Sequence, residues 1–299
     1  MPLTGVHLLL TYRCIEECDH CFVWSGPESE GVMSLDQVKN ILEQSEEIKT
    51  VNIIYVEGGE PFLYYPVMVE TLKLAKGMGF DIGLLSNAYW ATDRKDSEMW
   101  LEPISHLRLK DLSLSADPFH YEDLDSERTH NAASVAEELG IPTSVLSIDC
   151  EDQEKKERIS EAEVSYAGMM YKGRAAVELA KDAPKKPWKE FVECPYENLE
   201  DPGRVHVDPY GFVHACQGLC IGNLFETSLY QIMEDYDYKS HPIIGPLTEG
   251  GPVALSEIYG LSPDEEYADA CHLCYELRSN LREKFPEILC PKQMYGELD

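Results

Sequence analysis

The stretch Thr11-Tyr-Arg-Cys14-Ile-Glu-Glu-Cys18-Asp-His-Cys21 decides the fold class of this chain, because its three cysteines form the pattern C-x3-C-x2-C. Three thiolates at this spacing can bind three irons of a [4Fe–4S] cluster, which proteins normally hold through cysteine sulfur. No fourth cysteine lies nearby in the sequence, so one iron would stay open to another ligand, as in a catalytic metal site. The spacing matches no common zinc pattern. Three structural cysteines or a zinc ion are the alternatives.

An apolar run at residues 7–11 precedes the cysteines and predicts a first β-strand. Further short apolar runs predict strands at residues 51–57, 81–86, 112–115, 143–148 and 163–166. The amphipathic stretches between them predict helices that begin near Ser34, Pro66, Met99 and Arg128. Six strand–helix repeats predict a parallel sheet with right-handed crossovers.

Glycine and polar residues directly follow the second, third and fourth predicted strands. The turn Glu57-Gly58-Gly59-Glu60-Pro61 follows the second strand, and its two glycines allow the backbone to approach a ligand closely. Ser86-Asn87 ends the third strand, and Ser115 and Asp117 end the fourth. Taken alone, each of these segments is also an ordinary turn.

The cysteine motif, the Gly58-Gly59-Glu60-Pro61 turn and Asn87, in this order, resemble the radical S-adenosylmethionine (SAM) superfamily. The resemblance implies an α/β fold in which residues 1–180 form a partial (β/α)6 TIM-like barrel, open on one side, with its active site at the C-terminal ends of the strands. It implies that Cys14, Cys18 and Cys21 hold a [4Fe–4S] cluster whose open iron binds SAM. Reductive cleavage of SAM would yield a 5′-deoxyadenosyl radical, which takes a hydrogen atom from the substrate.

The same resemblance assigns further SAM contacts to residues at the ends of the strands. They are Gly58, Gly59, Glu60, Pro61, Ser86, Asn87, Ser115, Asp117 and Arg128. Arg128 carries a guanidinium that suits the SAM carboxylate, although it can also be a solvated helix-start residue. Ala88 departs from the family pattern, which often has Thr-Asn-Gly at this point.

Residues 181–299 begin with a Lys- and Pro-rich stretch at 181–188 that reads as a linker, and they hold six of the ten cysteines. The SPASM/twitch extension of radical SAM enzymes resembles this part of the chain in Lys172-Gly-Arg-Ala175 at the end of the sixth strand, Cys194, Gly211-x4-Cys216, the Gly222-Asn-Leu turn and Cys271-x2-Cys274. The cysteines are too few for a complete SPASM domain with two auxiliary clusters. The resemblance therefore implies one auxiliary [4Fe–4S] cluster in a small twitch-like domain, bound by four thiolates. The predicted ligands are Cys194, Cys216, Cys271 and Cys274.

Alternatives remain open for these C-terminal cysteines. A structural zinc fits four thiolates equally well. Cys220 can replace one of the four ligands, or can donate a hydrogen atom to a substrate radical, as a cysteine does in some epimerases of the family. Cys150 and Cys290 are interpreted as core or surface thiols.

Composition limits the partners and the compartment. The chain has 299 residues, with 25 basic against 55 acidic side chains and a formal charge of −30, which repels nucleic acid and anionic membranes. No apolar run is long enough for a membrane helix, and the N-terminus shows no signal peptide. Ten cysteines without an export signal favour metal binding in a reducing cytoplasm.

Three hypotheses follow for the activity. The first is a radical SAM oxidoreductase that oxidises a small molecule, with the auxiliary cluster accepting an electron from the substrate. The second is radical cross-linking or epimerisation of a ribosomally made peptide. The few residues before Cys14 leave no room for an N-terminal peptide-binding domain, which favours the first hypothesis. The third is a non-catalytic iron–sulfur carrier or zinc scaffold. Both enzymatic hypotheses imply a low-potential reductant such as flavodoxin or ferredoxin.

Overall fold

The computed structural model describes residues 2–120, 127–148 and 158–297 of the chain. The chain divides into two compact units, each assembled from separate stretches of sequence. The barrel unit comprises Gly5–Glu16 and Gly26–Met169, and the C-terminal unit comprises Met1–Thr4, Glu17–Ser25 and Met170–Asp299. The predicted domain boundary at residue 180 stays a prediction, and Cys150 lies outside the described residues.

Strands and helices alternate along the barrel unit, as its sequence predicts. Its elements are β1 (Gly5–Leu9), α1 (Leu35–Glu47), β2 (Ile53–Glu57), α2 (Tyr65–Gly77), β3 (Asp81–Ser86), α3 (Arg94–Ser105), β4 (Asp111–Ser115), α4 (Glu127–Glu138), β5 (Thr143–Ile148), β6 (Arg158–Ile159) and β7 (Ala162–Ala167). A short 3-10 helix, Pro61–Tyr64, lies between β2 and α2.

The strands of the barrel unit form a parallel sheet in the order β1-β2-β3-β4-β5-β7, and β6 pairs antiparallel at the edge. Val56 lies beside Leu84 in the register, and Leu84 lies beside Leu112; all three side chains are buried. Burial of alternate and successive apolar residues is expected where helices cover a parallel sheet. The predicted partial (β/α)6 barrel is confirmed.

Side-chain caps fix where the helices of the barrel unit begin. Ser34 accepts a hydrogen bond from the Gln37 backbone nitrogen, and Gln37 accepts one from the Ser34 backbone nitrogen, which confirms the predicted start of α1. The predicted start of α3 near Met99 is wrong, because Asp93 caps the helix earlier by accepting from the Asp96 nitrogen at 2.8 Å.

The C-terminal unit contains shorter elements around a three-stranded antiparallel ribbon, β9-β10-β11. Its elements are α5 (Arg174–Glu178), β8 (Lys186–Pro187), β9 (Arg204–Val207), β10 (Phe212–Cys216), β11 (Leu219–Asn223), α6 (Leu229–Glu234), α7 (Ile244–Tyr259), β12 (Glu266–Tyr267) and α8 (Ala270–Leu281). Asp208 closes the turn between β9 and β10, because its side chain accepts from the backbone nitrogens of Tyr210 and Phe212.

A break in α7 brings the segment before Cys194 close to this helix. Gly250 and Gly251 have non-helical backbone angles, and a Cβ on Gly251 would lie 2.3 Å from the Glu193 nitrogen. Only glycine allows this approach, which places Cys194 next to α7. Among the described residues, no helix is both long enough and apolar enough to span a bilayer.

Candidate functional site

Loops that follow β1 and β2 lie unusually close together at the C-terminal edge of the barrel sheet. The Gly59 nitrogen donates to the Thr11 carbonyl at 2.6 Å, and the Glu60 nitrogen donates to the Arg13 carbonyl at 2.9 Å. A Cβ on Gly58 would lie 2.5 Å from the Thr11 oxygen, and one on Gly59 would lie 2.1 Å from the Arg13 oxygen. Both glycines are therefore required for the backbone of this turn to contact the chain leading into Cys14.

Glu60 joins the loops that follow β2 and β3. Its side chain is fully buried, and it accepts hydrogen bonds from the Phe62 nitrogen and the Ser86 hydroxyl at 3.0 Å and from the Asn87 nitrogen at 2.8 Å. Burial raises the pKa of Glu60 to about 7, although these three donors act in the opposite direction. The buried Pro61 begins the 3-10 helix that Glu60 caps.

Asn87 connects this carboxylate to a cysteine of the motif. Its amide nitrogen lies 3.6 Å from the sulfur of Cys14, which also accepts from the Glu16 nitrogen at 3.4 Å. Both Asn87 and Cys14 are buried. The barrel edge therefore brings together four of the residues predicted from sequence: Cys14, Glu60, Ser86 and Asn87.

Ser115, Asp117 and Arg128 follow β4 or begin α4. Asp117 is buried, and its carboxylate accepts from the backbone nitrogens of Phe119 and His120 and lies 2.9 Å from the His120 ring. Ser115 and Arg128 are half-buried. The structure explains Asp117 as the cap of a turn, and contact of these three residues with SAM stays a prediction.

The segment carrying Cys18 and Cys21 is anchored within the C-terminal unit by Arg174. The guanidinium donates to the Cys18 carbonyl at 2.9 Å and to the Ser25 carbonyl at 2.7 Å, while the Arg174 backbone nitrogen donates to the Cys21 carbonyl at 2.9 Å. The preceding Gly173 has φ +62°, and a Cβ there would lie 2.5 Å from the Cys21 oxygen. Gly173 and Arg174 therefore set the conformation of this cysteine loop.

Four cysteine sulfurs of the C-terminal unit line one pocket. Cys194 precedes β9, Cys216 ends β10, and Cys271 and Cys274 lie in the first turns of α8, which Asp269 caps. The pocket has a volume of about 470 Å³, counted with the part open to solvent.

The thiols of this four-cysteine pocket influence one another electrostatically. Burial raises the pKa of Cys194, and the neighbouring sulfur of Cys216 raises it further. Burial raises the pKa of Cys274 to about 12, against the opposing effect of Arg278. Burial thus favours the protonated form of Cys194 and Cys274, and a bound metal or cluster would have to displace these protons.

Cys220 lies apart from that pocket. It is buried, with its sulfur 2.9 Å from the sulfur of Cys290 and 3.4 Å from Nδ1 of His214. The opposite ring nitrogen of His214 lies 3.3 Å from the buried carboxylate of Asp208. The structure thus groups Cys220 with Cys290 and not with the four predicted ligands.

Sequence reasoning missed Arg278 and Gln217 at the four-cysteine pocket. Arg278 lines the pocket and donates to the Gln217 carbonyl at 3.0 Å. A signal was present, because Arg278 stands four residues after Cys274 on an amphipathic helix and therefore shares its face. Nothing in the sequence around Gln217 indicates that its backbone oxygen contacts Arg278.

Residues 8–163 match the family model described as the radical SAM superfamily. Because this match spans more than half of the 299 residues, the chain belongs to the radical SAM superfamily. Membership brings SAM and a [4Fe–4S] cluster as cofactors, and Cys14, Cys18 and Cys21 carry the motif predicted to hold that cluster.

Three relatives extend the comparison. The chain is 24% identical over 237 residues to the putative peptide biosynthesis protein YydG of Bacillus subtilis (strain 168), covering 78% of this chain and 73% of YydG. The crystal structure of Streptococcus suis SuiB bound to the precursor peptide SuiA superposes with a TM-score of 0.60 at 14% identity, covering 86% of this chain and 73% of SuiB. The crystal structure of BtrN in complex with AdoMet and 2-DOIA superposes with a TM-score of 0.54 at 15% identity, covering 84% of this chain and 89% of BtrN. The two structural matches establish the fold alone.

Replacing Glu60 by Gln should remove one pH-dependent contribution to stability. The folded protein holds this proton more tightly than the unfolded chain, because the pKa is raised from 4.5 to about 7. The free energy of unfolding of the wild type should therefore fall as pH rises from 4.5 to about 7, by an amount on the order of 3 kcal/mol. Denaturant midpoints at about pH 5 and about pH 8 measure this fall. The exposed Glu163→Gln is the control, and an equal fall in all three proteins would contradict the assignment.

Replacing Arg174 by Met should weaken the loop that carries Cys18 and Cys21. The change leaves two carbonyl acceptors without their charged donor, which costs about 1–3 kcal/mol for each bond. We expect less iron per chain after anaerobic reconstitution and a lower free energy of unfolding. Arg204→Met, at an exposed position of the same unit, should change neither. Full iron content and unchanged stability in Arg174→Met would refute the anchoring role.

Proposed function

We propose that this protein is a radical SAM enzyme that modifies a peptide by cross-linking or epimerisation, and that its C-terminal unit carries an auxiliary [4Fe–4S] cluster. One observation carries the choice of substrate class: the similarity to YydG, named as a putative peptide biosynthesis protein, extends over most of both chains. Oxidation of a small molecule, the first hypothesis from sequence, stays a prediction.

The residues at the barrel edge have a definable task in this proposal. When bound, the cluster and SAM supply the radical that removes a hydrogen atom from the substrate. Glu60 holds the loops after β2 and β3 in place, and Asn87 directs its amide at the sulfur of Cys14. A hydrogen bond to a ligating sulfur stabilises its thiolate form and tunes the cluster. The proposal also includes contacts with SAM from residues at the ends of the strands. These are Gly58, Gly59, Glu60, Pro61, Ser86, Asn87, Ser115, Asp117 and Arg128.

The separation of the sulfurs supports a cluster over zinc at Cys194, Cys216, Cys271 and Cys274. A tetrahedral zinc with sulfur at about 2.3 Å would place its ligand sulfurs about 3.8 Å apart. In the described part of the chain, no three of these four sulfurs lie within 4.8 Å of one another. Four thiols that line one pocket at larger separations suit a cluster, whose irons lie between the ligands.

Iron content tests the two-cluster proposal. Anaerobically reconstituted wild type should hold about eight irons per chain, because each [4Fe–4S] cluster contributes about four. Replacing Cys14, Cys18 and Cys21 by Ala should leave about four irons and abolish SAM cleavage. Replacing Cys194, Cys216, Cys271 and Cys274 by Ala should also leave about four. A wild type with about four irons and bound zinc would refute the auxiliary cluster.

A peptide assay in D₂O tests the reaction. The substrates offered are short synthetic peptides, with SAM and a flavodoxin or ferredoxin as reductant. Cross-linking removes two hydrogen atoms from the peptide, whereas epimerisation leaves the mass unchanged in water and adds one deuterium in D₂O. Mass spectrometry distinguishes the two. A peptide that remains unchanged while SAM is cleaved productively with a small molecule would overturn the peptide proposal.

Cys220 is the proposed hydrogen-atom donor if the reaction is epimerisation. Burial raises its pKa well above the ordinary thiol value, so the sulfur retains the hydrogen that a donor must deliver. Cys220→Ala should keep SAM cleavage and iron content but lose deuterium incorporation. Cys290→Ala is the matched control because its sulfur is the neighbour of Cys220. Full incorporation by Cys220→Ala would exclude this role.

A further inference from the structure

Two buried cations line the four-cysteine pocket of the C-terminal unit. Lys172 is 3% exposed and Arg278 is 2% exposed, and both contribute to the pocket wall. Lysine and arginine are rarely buried to this extent unless an opposite charge accompanies them. A buried cation without its counter-charge is costly, so the partner of each one has to be identified.

The protein supplies little negative charge to these cations. Lys172 donates to the side-chain oxygen of Gln217 at 2.8 Å, and Arg278 donates from Nη1 to the backbone oxygen of the same residue at 3.0 Å. The nearest carboxylate to Lys172 is Glu197 at 3.9 Å, which also pairs with Arg204. No carboxylate of the described residues lies within 4.0 Å of the Arg278 guanidinium. Gln217 therefore accepts from both cations. Lys172 also has Glu197 at 3.9 Å and the nearby carboxylate of Asp269, whereas Arg278 has no carboxylate partner among the described residues.

One donor in this pocket has no acceptor. The Nε–H of Arg278 is buried and makes no hydrogen bond within the described part of the protein. An unsatisfied buried donor is costly, and the cost is greater when the group is charged. Arg278 lines the same pocket as the four thiols. A negatively charged group bound in the pocket would supply both the hydrogen-bond acceptor that the Arg278 Nε–H lacks and the counter-charge that the guanidinium lacks.

A four-thiolate cluster has both properties. Each ligand contributes a negative charge and a sulfur that accepts hydrogen bonds, and reduction adds one further negative charge. Nearby cations and N–H donors stabilise the reduced form more than the oxidised form, because the interaction grows with the charge. Cations at this position would therefore raise the reduction potential.

We propose that Lys172 and Arg278 are the counter-charges of the auxiliary cluster, that the Arg278 Nε–H donates to a sulfur of this site, and that both residues raise its reduction potential. The inference rests on the auxiliary cluster proposed above. Lys172 and Arg278 are positioning residues for an electron-transfer group and do not themselves react.

The test uses the full chain with Cys14, Cys18 and Cys21 replaced by Ala, so that only the auxiliary cluster remains. Its reduction potential is measured by titration followed by electron paramagnetic resonance. The variants added to this background are Arg278→Gln, Arg278→Lys and Lys172→Gln. Arg282→Gln, on the turn after Arg278 and outside the pocket wall, is the matched control.

Arg278→Gln and Lys172→Gln should each make reduction at least about tenfold less favourable, which is about 59 mV for a one-electron couple. Arg278→Lys should give a smaller fall, because it keeps the charge and loses only the Nε–H donor. Arg282→Gln should change the potential by less than either Gln variant. Unchanged potentials in Arg278→Gln and Lys172→Gln, with full iron content, would overturn the inference while leaving the auxiliary cluster intact.

Failure of the underlying proposal gives a different result. A background chain that holds zinc, or no iron–sulfur chromophore at all, refutes the auxiliary cluster and the inference with it. If Arg278→Gln does not retain its cluster, the reduction potential of Arg278→Lys tests whether the Nε–H donates to the cluster. A lowered potential in Arg278→Lys supports the Nε–H donor, and an unchanged potential excludes it.

Discussion

The close backbone approach at Gly58 and Gly59 is the constraint on which the barrel-edge site depends. These glycines meet the carbonyls of Thr11 and Arg13 at distances that no Cβ would tolerate. The approach places Glu60 at the start of its 3-10 helix, where a buried carboxylate can accept three hydrogen bonds. Asn87 is positioned by that carboxylate and in turn contacts Cys14. A change at either glycine would therefore reach the cysteine through backbone and hydrogen bonds.

In the C-terminal unit, three consecutive residues serve both sets of cysteines. Lys172 contributes to the four-cysteine pocket, whereas Gly173 and Arg174 hold the loop that carries Cys18 and Cys21. One short stretch of backbone therefore contributes to both places. The resemblance singled out Lys172-Gly-Arg-Ala as a motif, and these contacts give a physical reason for each of its first three residues.

Local rules predicted the parts of the fold that repeat. Alternation of apolar strands with amphipathic helices was sufficient for the barrel, and the Ser34 capping box fixed the start of α1. The sequence could not predict β11 or the broken helix α7, because their form depends on tertiary contacts such as that of Gly251 with Glu193. At the site, cysteine spacing predicted the candidate ligands, but spacing carries no information about which buried cation or amide faces them.

Burial of an ionisable side chain has different consequences for Glu60 and for Arg278, because the two side chains have different hydrogen-bond and charge partners. Glu60 accepts hydrogen bonds from protein donors, but burial outweighs them and raises its pKa to about 7, so the side chain is only partly ionised near neutral pH. Arg278 cannot lose its proton, since guanidinium stays charged in proteins. In the proposal above, its charge is balanced by the auxiliary cluster. The buried carboxylate of Glu60 is held by donors of the chain itself, whereas the buried guanidinium of Arg278, with its unsatisfied Nε–H, is the observation that motivates an anionic group in the pocket.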